Sequence, residues 1–167
     1  MLAYLIRHAA ALPKSAPGVS KDSLRPLTLE GVKQMKEAAA GLATVAKPEL
    51  VVCSPYLRAM ETARILASAL ESAPPVETSE ALLPDASPSG ALSFVGRARA
   101  SSVALVGHEP QMGELASLMI TGSTSSKFPF RKGAACCIEF PSEVAAGTGE
   151  LRWHLTPEIL RRLATSP

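Results

Sequence analysis

The stretch that most constrains this chain is its opening, Leu2-Ala3-Tyr4-Leu5-Ile6-Arg7-His8. It has the length and β-forming content of a buried strand, yet it ends abruptly in a cation and an imidazole. A strand that is oily until its last residues is a core strand delivering polar groups to its carboxyl end, the edge of an open α/β sheet at which ligands bind. The same pattern returns a hundred residues later, where Ser101-Ser102-Val103-Ala104-Leu105-Val106 runs into Gly107-His108. Between the two, Glu49-Leu-Val-Val-Cys53 forms a third short apolar strand and runs into Ser54-Pro55, a helix start with a serine cap and proline at the first helical position.

The rest of the chain supplies helices at the spacing an α/β fold needs. Residues 9–26 have the Ala, Pro, Ser, Gly and Lys of a loop and border the first strand end. Thr28 caps a helix over 28–44, with Leu29, Val32, Met35 and Leu42 facing inward. The helix beginning at Ser54 is expected to reach Glu71, and a strand follows at Val76–Thr78. A turn-rich crossing with Glu80 and Asp85 leads to a helix over 88–100 capped by Ser89, and a further helix spans 110–121 with Met112, Leu115, Ala116 and Met119 inward. After a polar connection over 121–132, residues 133–140 and 151–155 read as an antiparallel hairpin turned at Gly147-Thr148-Gly149. Thr156-Pro157 starts a short last helix. His154 alternates with Trp153 outside any motif and is read as structural. The expected fold is a three-layer α/β/α sandwich with a mostly parallel central sheet and an antiparallel edge strand, and 167 residues fit one domain spanning 1–167.

Composition narrows the function. A formal net charge of +2 with scattered Lys and Arg gives no nucleic-acid or membrane surface, and no apolar segment approaches the roughly 18 residues of a membrane span. Three cysteines, two of them adjacent, make neither a disulfide framework nor a zinc spacing. Reduced thiols and the lack of a leader point to a cytoplasmic protein, with a monomer favoured.

Right-handed crossovers place all parallel strand ends on one edge, so Arg7-His8, Ser54…Arg58 and Gly107-His108 are expected to converge. Arg58 falls in the first turn of its helix, where the dipole disfavours a cation, unless a negative ligand compensates or Glu61 pairs with it. Two arginines and two histidines around one hollow form a receptor for a dianion. Guanidiniums match phosphoryl oxygens, and a neutral imidazole can attack phosphorus. Two histidines could instead hold a metal, but the adjacent arginines repel a divalent cation and no carboxylate sits at ligand spacing, so neither metal nor cofactor is expected.

At these residues the chain resembles a known family. Leu5-Ile6-Arg7-His8-Ala9, the Ser54-Pro55-Tyr56-Leu57-Arg58-Ala59-Met60-Glu61-Thr62-Ala63 segment and Val106-Gly107-His108 are similar, in order, to the motifs of the histidine phosphatase superfamily, also called phosphoglycerate mutase-like. Small size and the segment Asp22-Ser23-Leu24-Arg25-Pro26-Leu27-Thr28 resemble the SixA subfamily of phosphohistidine phosphatases. The resemblance implies a metal-independent phosphatase in which His8 becomes phosphorylated, Arg7, Arg58 and His108 bind and stabilise the phosphoryl group, and Arg25 adds a substrate contact. The substrate it implies is a histidine-phosphorylated protein. A small phosphomonoester on the same machinery and a non-catalytic phosphate or phosphoprotein binder are the alternatives. The sequence departs from the pattern at Ala9, where glycine is usual, and in lacking a recognisable general acid. Glu80 is the nearest carboxylate for that role and Asp85 the second.

Overall fold

A computed structural model describes residues 1–125 and 128–165. Among them six strands form one sheet: β1 (Leu2–Arg7), β2 (Leu50–Cys53), β3 (Val76–Thr78), β4 (Ser102–Gly107), β5 (Ala135–Glu139) and β6 (Glu150–Leu155). Their order is β3-β2-β4-β1-β5-β6. The first four are mutually parallel, β5 is antiparallel to β1, and β6 is antiparallel to β5. The mostly parallel sheet with an antiparallel margin is thus present, and the hairpin β5–β6 closes the side away from β3.

Five helices cover the sheet: α1 (Leu29–Val45), α2 (Leu57–Ala69), α3 (Pro88–Arg97), α4 (Gln111–Thr121) and α5 (Pro157–Leu163). Alternation along β1 assigns them to faces. Tyr4 and Ile6 pack with Met35 and Leu42 of α1, Ala63 and Leu66 of α2 and Leu160 of α5. Ala3 and Leu5 point the other way, into Leu92 and Val95 of α3 and Met112, Leu115 and Met119 of α4. Three layers result. No helix of the described residues is long and apolar enough to cross a membrane.

Four local expectations are corrected. Leu29 is 93% exposed rather than inward, because the buried face of α1 runs through Gly31, Met35, Ala38 and Leu42, and at 100° per residue Leu29 lies well off that line. The second helix starts at Leu57, not Ser54, and stops at Ala69. Ser54 still belongs to the sheet, its N–H donating to the Val106 carbonyl at 3.0 Å, while its hydroxyl accepts from the Tyr56 N–H at 3.3 Å. The cap of α3 is Ser87, whose hydroxyl accepts from the Ser89 N–H, with Pro88 as the first helical residue. Two short 3-10 turns, Asp22–Leu24 and Glu80–Leu82, stand where loop was expected. The expected connection over 121–132 includes residues 126 and 127, which lie outside the described residues.

Candidate active site

The register of β1 against β4 sets the site. Arg7 is paired with Gly107, and the His8 N–H continues the ladder to the Gly107 carbonyl at 3.0 Å. His8 and His108 therefore leave adjacent strands side by side, with ring centroids 5.0 Å apart. From β2 the chain turns into α2 and sends Arg58 back toward them: its Nε donates to His8 Nε2 at 3.2 Å. His8, Arg58 and His108 are 6%, 3% and 2% exposed, so three groups that could carry charge meet in a nearly dry place.

These side chains line a cleft of about 260 Å³ together with Arg7, Arg25, Lys14 and Lys132. Two carboxylates line it too, Asp22 and Glu109. Neither is Glu80, which is exposed on its 3-10 turn and outside the cleft, as is Asp85; only Pro84 of that crossing reaches the lining.

Three of the cations, Arg58, Arg25 and Lys14, are aimed by Asp22. Arg58 donates from Nη1 to the Asp22 carbonyl at 2.8 Å and from Nη2 to its carboxylate at 3.2 Å. Asp22 also ion-pairs with Arg25 at 2.8 Å and Lys14 at 3.6 Å, and Arg25 donates to the Leu12 carbonyl. The partner of Arg58 is thus Asp22 rather than Glu61, whose carboxylate accepts from the Leu27 N–H at 2.7 Å and so ties the loop after β1 to α2. Thr62 does similar work one residue on. Its hydroxyl accepts from the Ala9 N–H and donates to the Arg58 carbonyl. Ala9 itself is buried, and its φ is not among the positive values of the described residues, so a methyl is accommodated where glycine is usual.

The hydrogen bonds around His8 specify its protonation. Nδ1 lies 2.7 Å from the Ala9 carbonyl, which can only accept, while Nε2 faces the Arg58 Nε–H, which can only donate. The neutral ring with its proton on Nδ1 satisfies both, its Nε2 lone pair accepting from Arg58 at the cleft. Burial pushes the His8 pKa down to about 3 against the pull of the Ala9 carbonyl, and Arg58, Arg7 and Lys132 add to the lowering. Burial also takes His108 to about 3, reinforced by His8 and Arg58. Both His108 ring nitrogens are buried without a hydrogen-bond partner among the described residues, and the ring is held instead by the edge-on ring of Tyr56 at 5.2 Å. Asp22 behaves oppositely. Burial pushes it up, but Arg58, Arg25 and Lys14 prevail and hold it below the usual carboxylate range.

A hollow walled by arginines and lysines around an uncharged imidazole nitrogen suits an electrophile that is itself a dianion. Residues 3–83 match the model of the histidine phosphatase superfamily (branch 1). The chain belongs to that superfamily. It is a phosphatase. A histidine phosphatase of this size has solved relatives across its whole length. The structure of the protein histidine phosphatase SixA complexed with tungstate superposes with a TM-score of 0.81 at 25% identity, covering 96% of this chain and 99% of that one. The alpha-ribazole phosphatase of Shigella flexneri shares the fold at a TM-score of 0.72 and 19% identity, covering 94% and 97%. An uncharacterized protein of Picosynechococcus sp. is 30% identical over 168 residues, which is 98% of this chain and 95% of that protein.

Arg7, His8, Arg58 and His108, which strand topology brings to one edge, and Arg25, which the resemblance implies, all line the cleft of this phosphatase; Asp22, Tyr56, Glu109, Lys14 and Lys132 join them without having been expected there. Asp22 had a readable signal in its spacing to Arg25, an i,i+3 pair. Glu109 follows His108 directly. Lys132 had none, because its place depends on how the segment before β5 folds back over β1.

Proposed function

We propose that this phosphatase works through a phosphohistidine intermediate on His8 and that its substrate is phosphohistidine carried on a protein. The observation that carries the covalent step is the pair of contacts on His8, Nδ1 against the Ala9 carbonyl and Nε2 against Arg58 Nε–H, which together fit the Nδ1–H tautomer; for attack, Arg58 gives up Nε2 and turns to the phosphoryl oxygens. Nε2 attacks phosphorus, the bond from phosphorus to the leaving group breaks, and the departing atom keeps the electron pair. Arg7, Arg58 and neutral His108, with Arg25 at the rim, hold the phosphoryl oxygens through the transfer, which is chiefly positioning and electrostatics. Water then attacks the phosphoenzyme in line, the P–Nε2 bond breaks, and inorganic phosphate leaves with the ring restored.

The substrate class follows from the acids. Asp22 is engaged by three cations and held ionised, and Glu109 is tied to the main chain of Phe130 through one oxygen, an arrangement that favours a leaving group needing little acid help. A phosphoramidate needs less help, since its leaving imidazole is a better nitrogen base and takes a proton from water. The cleft is bordered by Lys14, whose side chain is 77% exposed, which leaves room for a protein-borne group.

The test is a substrate panel: a phosphohistidine protein against sugar phosphates, nucleotides and an aryl phosphate, for the native protein and His8→Ala. The expected result is turnover of phosphohistidine well above the alkyl esters and none in the variant. Preference for a small ester would replace the substrate assignment, and phosphate binding without any turnover would leave a binding module.

A further inference from the structure

Glu109 is a half-buried carboxylate at the cleft that the proposed reaction does not use. Its Oε1 accepts the Phe130 N–H at 2.8 Å. On the other side of the same residue, the Phe130 carbonyl accepts Arg7 Nη1 at 2.7 Å. One peptide unit on each side of Phe130 is therefore gripped, by an acid in the turn just before α4 and by a cation from the end of β1. The Phe130 ring is 2% exposed and packs against Phe128 and His154, so the segment cannot follow either grip by sliding. The fit is close from below as well. A Cβ added at Gly113 would lie 2.5 Å from the Phe128 carbonyl oxygen and 3.2 Å and 3.4 Å from the Glu109 carboxylate oxygens, so both rest directly on the first turn of α4.

With Nη1 committed to Phe130, Arg7 Nε is buried and has no hydrogen-bond partner among the described residues. A guanidinium is planar and rigid, so pinning one nitrogen fixes the direction of the others. Burial lowers both charged forms, pushing the Arg7 pKa down and the Glu109 pKa up, and each partially offsets this for the other.

We infer that Glu109 is a positioning residue for phosphate recognition: through the main chain of Phe130 it fixes the Arg7 guanidinium so that Nε is turned to a phosphoryl oxygen. This rests on the reading of the cleft as a phosphoryl site, and the geometry gives Glu109 an acceptor's part rather than a proton donor's.

The experiment measures affinity for inorganic phosphate by calorimetry, which needs no turnover, with KM and kcat for an aryl phosphate beside it. Glu109→Ala is expected to weaken phosphate binding about tenfold, the scale of a lost buried hydrogen bond to a charged group, with most of the change in KM. Glu109→Gln keeps a carbonyl acceptor for the Phe130 N–H and is expected to recover most of that loss. In an Arg7→Ala background, Glu109→Ala is expected to have little further effect, because the two act in series. Equal and independent losses in the Arg7→Ala and native backgrounds would overturn the inference. So would a Gln variant as impaired as Ala with kcat on alkyl phosphates falling and the alkaline limb of its pH profile lost, which would make Glu109 the proton donor. If the native protein binds phosphate yet hydrolyses nothing, the functional reading fails while the affinity series still decides the role of Glu109.

Discussion

His8 owes its chemistry to two hydrogen bonds and a dry wall. The Ala9 carbonyl takes the proton side of the ring, Arg58 faces the lone pair, and burial keeps the ring uncharged. Replacing His8 with Ala is expected to reduce turnover to background, measured as phosphate release. Arg58→Ala is expected to lower kcat/KM by about a hundredfold to a thousandfold, the scale of losing a principal charge contact in a transition state. A drop of less than threefold would remove Arg58 from the site. The motif residues were readable because each stands at a strand end or the helix turn after it. Lys132 was not, since its value comes from where the loop folds back, and the spacing of Asp22 to Arg25 gave only a pair without its place at Arg58. Glu80, the nearest carboxylate on the loop after the third strand, where the family resemblance places an acid, is exposed outside the cleft, while Glu109, which follows His108 directly, lines it.

At the scale of elements, the helices are held to the sheet by close backbone approaches that sequence only hints at. A Cβ at Gly41 would sit 1.7 Å from the Leu160 carbonyl oxygen, so α1 and α5 touch main chain to main chain. Gly41→Ala should gain helix propensity in α1 yet lose stability overall, by about 1–3 kcal/mol, because α5 must move away. Thermal unfolding followed by circular dichroism checks this, and a raised Tm would contradict it. Gly31 stands likewise 2.1 Å from the Ala10 carbonyl oxygen by the same construction, next to the loop that leaves His8. Element type was legible along nearly the whole chain because strands and helices differ so clearly in period. Starts were less so: Ser54-Pro55 looks like a helix cap, but the Ser54 N–H bonds the Val106 carbonyl at the end of β2, and α2 begins at Leu57.

For the molecule as a whole, two imidazoles buried uncharged make stability depend on acidity. In the unfolded chain they take up protons near pH 6.5, whereas in the folded protein they resist until about pH 3. Below 6.5 the unfolded state binds more protons, so the stabilisation present above that pH is lost progressively as pH falls toward 3. Urea unfolding should show a decline on the order of a few kcal/mol between pH 6.5 and pH 4.5, and His8→Asn with His108→Asn should flatten it. A flat native curve would show that the rings titrate normally. Convergence of the three motifs could be foreseen from right-handed crossovers alone, but the side-by-side placement of His8 and His108 needed the β1–β4 pairing, which no local pattern encodes.

The covalent intermediate is the centre of the account, and rapid quench with substrate labelled in its phosphoryl group tests it most directly. The expected result is a transient label on the protein that is labile to acid, stable to base, located on His8 and absent from His8→Ala. Full turnover with no label on the protein at any time, or a label that forms unchanged in the Ala variant, would contradict it.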